Sequence, residues 1–340
     1  MNDQGRVASE WRRMAADEAR AARDDIDSAA DPRADRPAAI HSSRKHIRKA
    51  RALLRLVRSE IGAKAFRRHN VALRDAARTL SPIRDADVIV ETIRELRPTG
   101  DAAKSLRQLL TTERRTLRAK MIEDGSLQNS VARTLERFAT ELRDLSLRDG
   151  DWSVLRDGLE DSYRRARRAH RSAFTDGADA ALHDARKRAK DLWYHLRVVR
   201  PIAPNLLKPM EQDAHALADA LGADHDLAVL TERADAAEAG DDGLTATIVE
   251  RRQAHQTEAR RIGNQLFAES PRAYVRRLAA YWSAWRTAHP EISAELDPEH
   301  TSAEDLQRLA SKNEIIGRSA MTKRQITAAL ATQEASGTSH

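Results

Sequence analysis

Residues 40–58 read IHSSRKHIRKARALLRLVR, and residues 182–200 read LHDARKRAKDLWYHLRVVR. At an offset of 142 the two stretches align without a gap and share seven of nineteen residues. The shared pairs are His41 and His183, Arg44 and Arg186, Lys45 and Lys187, Leu54 and Leu196, Arg55 and Arg197, Val57 and Val199, and Arg58 and Arg200. Positions 40, 43, 47, 50, 54 and 57, with 182, 185, 189, 192, 196 and 199, are mostly apolar at alternating spacings of three and four. That period predicts an amphipathic helix in each copy, buried along a coiled-coil-like seam. Cations lie beside the seam: His41, Arg44, Arg48, Arg51, Arg55 and Arg58 follow it by one residue, and Lys45 widens the same flank. His183, Arg186, Lys187, Lys190 and Arg197 repeat the arrangement.

The repetition extends outward. LSPIRDADV at 80–88 parallels LGADHDLAV at 221–229 with an offset of 141, and 129–145 parallels 271–286. Breakers at Pro32 and Pro37, Pro98 to Gly100, Gly125, Gly150, Gly177, Pro201 and Pro204, and Gly240 to Gly243 punctuate both copies. The expected organisation is two homologous halves, about 1–148 and 149–288, each of four or five helices. Antiparallel bundles related by a pseudo-twofold axis, with a basic central groove, are the natural packing. Residues 289–300 read as a polar linker, 301–332 as a small two-helix unit around Ile315-Ile316-Gly317-Arg318-Ser319, and 333–340 as a disordered tail.

Composition agrees with an all-α fold: aromatics make up 4%, and Ala, Leu, Arg, Asp and Glu dominate. The absence of cysteine excludes disulfides and thiolate chemistry. No run of 18 apolar residues is present, and charged residues occupy the N-terminus where a signal peptide needs an apolar stretch. A soluble cytoplasmic protein without a membrane partner is expected.

The net charge of +7 is unevenly placed. Residues 41–58 carry +7, 163–171 carry +5 and 183–200 carry +4, so the remainder of the chain is −9. A helix with a cation every three or four residues presents a row of charge about 5–6 Å apart, suited to successive phosphates of a linear polyanion. Arginine grips phosphate oxygens with a planar fork and lysine adds a mobile charge. His41 and His183, near the starts of their helices, are expected to gain protons beside phosphate and to act together with free backbone N–H groups. In the run Tyr163-Arg-Arg-Ala-Arg-Arg-Ala-His170-Arg171, the candidates for the same groove are Arg164, Arg165 and Arg168. Arg84-Asp85 and His225-Asp226 read as structural ion pairs within each bundle. One such helix alone reads as solvated surface; its repetition favours a ligand.

The duplicated His-x-x-Arg-Lys helices, the 80–88 segment, the Tyr163 run and the late Trp282 and Trp285 together resemble the CHAD family, the conserved histidine α-helical domain, over about residues 6–287. The resemblance implies paired helical bundles around a basic groove that binds inorganic polyphosphate, often in proteins of polyphosphate granules. The second copy departs from the first, with Asp191 for Lys49, Trp193 for Arg51 and His225 for Arg84. A less basic second side is therefore expected. Many relatives carry a triphosphate-tunnel domain with a Glu-x-Glu-x-Lys motif; that motif is absent from this sequence, so catalysis is not carried over. The 301–332 unit resembles the SAP-like helix-extended-helix unit at the N-terminus of the Rho termination factor, through residues 305–310, 315–319 and 321–330. That resemblance implies a nucleic-acid contact through Arg318, Lys323 and Arg324, with protein docking or simple capping as alternatives.

The expected function is non-enzymatic polyphosphate binding, without a cofactor or metal. The alternative is nucleic-acid binding by the same groove and the C-terminal unit, although Trp193 and Tyr194 are the only aromatics interleaved with the basic helices to stack bases. A metal-dependent phosphohydrolase is disfavoured: His-Glu-x-x-His is missing, and the cations around the histidines repel a metal.

Overall fold

The structure is a computed structural model that describes residues 4–29, 35–123, 125–147 and 152–288. The linker, the two-helix unit and the tail expected beyond 288 lie outside the described residues. Eleven α-helices and no strand occur among the described residues. The first half holds α1 (Gln4–Ser28), α2 (Arg36–Leu56), α3 (Arg58–Thr79), α4 (Ser81–Leu96), α5 (Asp101–Glu123) and α6 (Gly125–Glu141). The second holds α7 (Ser153–Asp176), α8 (Asp179–Val199), α9 (Pro204–Ala236), α10 (Asp242–Leu266) and α11 (Pro271–Ala288).

The two basic stretches form α2 and α8, and all twelve seam positions are buried. Burial is wider than a coiled-coil seam, taking in Ala52, Leu53 and Leu56 on α2 and Tyr194 and His195 on α8, because each helix is packed on several sides. The alanines at 15, 16, 19 and 22 of α1 are buried, and such short side chains let α1 approach α2 closely. There Ser43 Oγ donates to the Ala22 carbonyl at 2.8 Å and Trp11 Nε1 to that of Leu53 at 2.8 Å. Where α7 crosses α2, a Cβ on Gly158 would stand 1.8 Å from the Leu56 oxygen, so only glycine permits the crossing.

The halves differ at one corner. Pro82 lies in the first turn of α4, where a missing N–H costs nothing, and the chain restarts there after α3. The corresponding Leu221-Gly222-Ala223 lacks a breaker strong enough to interrupt α9, which runs unbroken for 33 residues.

The apolar interior does not divide where the sequence halves divide. One cluster runs from Val7 on α1 to Leu278 on α11 through α2, α7, α8 and α9. A second joins α4 and α5 to α9 and α10. The halves are thus fused through shared burial, and the α2–α8 crossing fixes the basic flanks relative to each other. His195 Nε2 lies 2.8 Å from the Ala52 carbonyl, and Arg55 pairs with Asp191 at 2.9 Å.

Candidate polyanion-binding groove

A cleft of about 730 Å³ opens between the two basic helices, walled by α2, α3 and α4 on one side and by α8 and α9 on the other. Eleven lysines and arginines line it against three aspartates, together with His41, His183 and His225. Nine of the residues expected at the site meet there: His41, Arg44, Arg48, Arg51 and Arg55 from α2, and His183, Arg186, Lys187 and Lys190 from α8. The α2 row from His41 to Arg55 spans about 21 Å at the helical rise.

Six expected residues are not among the groove-lining side chains. Lys45 is exposed beside His41. Arg58 covers the Phe66 ring at 5.0 Å and, with Arg165, lines a smaller neighbouring cavity of about 220 Å³. Arg164 is held by Glu160 and by Asp161 at 3.6 Å, Arg168 is exposed on α7, and Arg197 turns to Glu211 at 3.8 Å.

Three cations that the repeat does not mark complete the wall: Arg74 and Arg78 on α3, and Arg84 on α4. Arg188 and His225 enter from the opposite side. Arg74 and Arg78 share one face of α3 at a spacing of four, a signal present in the sequence, but only the packing of α3 beside α2 turns that face into a groove wall.

The two His-x-x-Arg-Lys arginines keep matching roles. Arg44 Nη1 donates to the Ser81 carbonyl at 3.0 Å and faces Asp85 at 3.4 Å, and Arg186 faces Asp226 at 3.7 Å. The aspartates make the expected ion pairs within each half, but with these arginines, while Arg84 and His225 face the cleft. Arg44 is buried and engages carbonyls at the α3–α4 corner, so it braces the wall as well as charging it.

The histidines sit near the starts of their helices, His41 as the sixth residue of α2 and His183 as the fifth of α8. Asp35 caps α2, accepting from the Ala38 N–H at 3.2 Å, and α8 begins at Asp179. His41 and His183 therefore lie in the second turns of their helices, just after the residues whose backbone N–H groups lack an intrahelical partner.

The asymmetry expected from Asp191 and Trp193 takes a different form. Lys49 faces Glu18 on α1 at 3.0 Å and is not in the groove, whereas Asp191 lines it and neutralises Arg55. Trp193 packs on His215 with ring centroids 4.0 Å apart, away from the cleft.

Burial and crowded positive charge together disfavour protonation of four groups in the groove. Burial, then Arg84 and Arg48, lower the pKa of His41. Burial, then His225 and Lys187, push His183 down to about 4. Burial and then Arg186 lower His225, whose ring centroid is 4.3 Å from that of His183. Lys190 is pushed down to about 8 by burial, then by Arg186 and Arg48. An anion placed among these groups would favour their protonated forms.

Fold and site together define an all-helical protein organised around a polycationic cleft. A family model for the CHAD domain matches residues 18–235, and the chain belongs to this family, which is linked to polyphosphate. The match runs from α1 to the end of α9, while α10 and α11 pack into the same interior. It does not reach the C-terminal unit, whose likeness to the Rho-type module gains no support. No curated protein matches the chain. No helix among the described residues is long and apolar enough to cross a membrane.

Proposed function

We propose that the chain binds inorganic polyphosphate in the groove between α2 and α8, as a binding protein without hydrolytic activity. The observation that carries this reading is the lining itself: eleven cations against three aspartates, with Tyr194 as its one phenol or indole side chain, and that one buried. Such a cleft supplies charge and guanidinium forks along a line, with three imidazoles but no exposed phenol or indole to stack a base. Binding to granules follows from the same groove.

Competition tests the ligand. Labelled long-chain polyphosphate bound to the full chain should be displaced by unlabelled polyphosphate and resist DNA or RNA at equal phosphate concentration. Equal displacement by nucleic acid would transfer the groove to that ligand. Phosphate release from the bound polymer, followed in the same samples, would show it to be an enzyme instead.

Asp191 provides a gain-of-affinity check. Its carboxylate holds Arg55 at 2.9 Å and faces Arg188 at 4.0 Å. Asp191→Asn is expected to tighten polyphosphate binding about three- to tenfold by freeing these arginines and removing a repulsive charge. Titration at fixed salt reads it; unchanged or weaker binding would mean that the ligand does not pass Asp191.

A further inference from the structure

The groove takes in none of the Tyr163–Arg171 run. Arg167 and Arg171 line a cavity of about 320 Å³ between α7 and α10. Its cations are Arg167 and Arg171 from α7 and Arg260 from α10, and its lining contains no acidic residue. The groove, in contrast, offsets part of its charge with Asp85, Asp191 and Asp226.

Two of the three guanidiniums are fixed by the protein. Arg167 Nε donates to the Phe267 carbonyl at 3.0 Å, and Arg260 Nη2 to the Phe174 carbonyl at 3.3 Å. Each spends one of five N–H donors on this anchor. Arg171 stands four residues after Arg167, so like charges share one helix face, an arrangement that is destabilising until an anion neutralises it.

The floor is built rather than incidental. His170 is buried, 4.8 Å from Phe174 and 5.4 Å from Phe267 by ring centroid, and contacts Asn264 through Nε2 at 3.2 Å. It lies so close to α10 that a Cβ on Gly263 would stand 2.2 Å from its ring. Charges above such an apolar floor act more strongly than in open water.

We propose that this cavity is a second anion site, separate from the groove, which takes a compact oligophosphate of about the size of pyrophosphate. Three guanidiniums match its charge, and planar forks match its oxygens. A nucleotide base finds no place: Arg260 lies over the Phe174 ring at 5.1 Å, and Phe267 is buried against Tyr163 and His170. The anion is either free pyrophosphate or a segment of the polymer that fills the groove, and short and long probes separate these sources.

The test is calorimetric titration of pyrophosphate into the full chain, the groove variant Arg48→Glu/Lys187→Glu, and that variant carrying Arg171→Glu. The groove variant should retain one pyrophosphate site, and Arg171→Glu should weaken it about tenfold or more, whereas Arg171→Lys, which keeps the charge and loses the fork, should weaken it by less. Arg171 is exposed, so its replacement leaves the fold intact by circular dichroism. Failure of pyrophosphate to bind the groove variant, or binding indifferent to Arg171→Glu, overturns the proposal. Long-chain polymer distinguishes the sources: Arg171→Glu in the otherwise native chain weakens it only if the polymer reaches both sites. Should the groove prove not to bind polyphosphate, the outer site still stands or falls on Arg171 alone.

Discussion

Arg48→Glu combined with Lys187→Glu is expected to weaken long-chain polyphosphate binding about 100-fold or more at about 0.1 M salt. Arg48 is central: its charge acts on His41 and Arg44 on one wall and on Arg186 and Lys190 on the other. Lys187 stands on the exposed flank of α8, and neither residue forms an ion pair among the described residues, so reversal orphans no buried partner. Two reversals replace two attractions by two repulsions in one cleft. The slope of log affinity against log salt should fall by about one per lost phosphate contact. A control separates local from global charge: Lys64→Glu/Lys208→Glu changes net charge equally at exposed positions outside the groove lining. It should alter affinity only a few fold. Equal losses in both double variants would mean that the whole-molecule field, rather than the groove, binds the polymer.

The burial of α2 and α8 was legible because their period does not depend on partners: a 3,4 apolar seam can only be satisfied by packing, and all twelve seam positions are buried. The fate of cations beside the seam was not, because it depends on what stands opposite. Arg55 and Arg197 align in the repeat yet diverge. At the offset of 141, Asn70 corresponds to Glu211. Neutral Asn70 accepts from Arg51 at 3.2 Å, while Glu211 pairs with Arg197 and Arg200 at 3.8 and 2.9 Å and draws them from the groove. Arg74 and Arg78 likewise correspond to His215 and Asp219, which pair with each other at 3.1 Å. The α3 side is therefore a wall of cations, and its counterpart on α9 is not. The lopsided groove arises on the helices facing the repeat as much as within the repeat itself, and identity between copies did not reveal it.

Lowering the pH is expected to strengthen polyphosphate binding by about tenfold or more per pH unit between roughly pH 7 and 5.5, with proton uptake on association. Without ligand, His183 titrates only near pH 4 and is neutral across that range, while burial and neighbouring cations hold His41 and His225 below the ordinary imidazole value. A bound chain of phosphates raises all three, and each proton taken up adds one unit to the slope of log affinity against decreasing pH. Titrations in two buffers of different ionisation enthalpy count the protons, and His183→Gln should reduce the count by about one. Stability provides a second readout of opposite sign. In the free protein His183 is shifted down from 6.5 to about 4 and Lys190 from 10.5 to about 8, so the unfolded chain takes up these protons first. Their contribution is fully present above the unfolded pKa and is lost as pH falls, for Lys190 from about 10.5 to 8 and for His183 from about 6.5 to 4. In the complex the histidines are held protonated, and their contribution grows as pH falls through the bound value. Thermal unfolding from pH 7.5 to 5 should therefore show polyphosphate raising the transition temperature by more at each lower pH. A ligand-induced increment that is constant with pH, together with no proton uptake, would mean that the histidines face the groove without sensing what it holds.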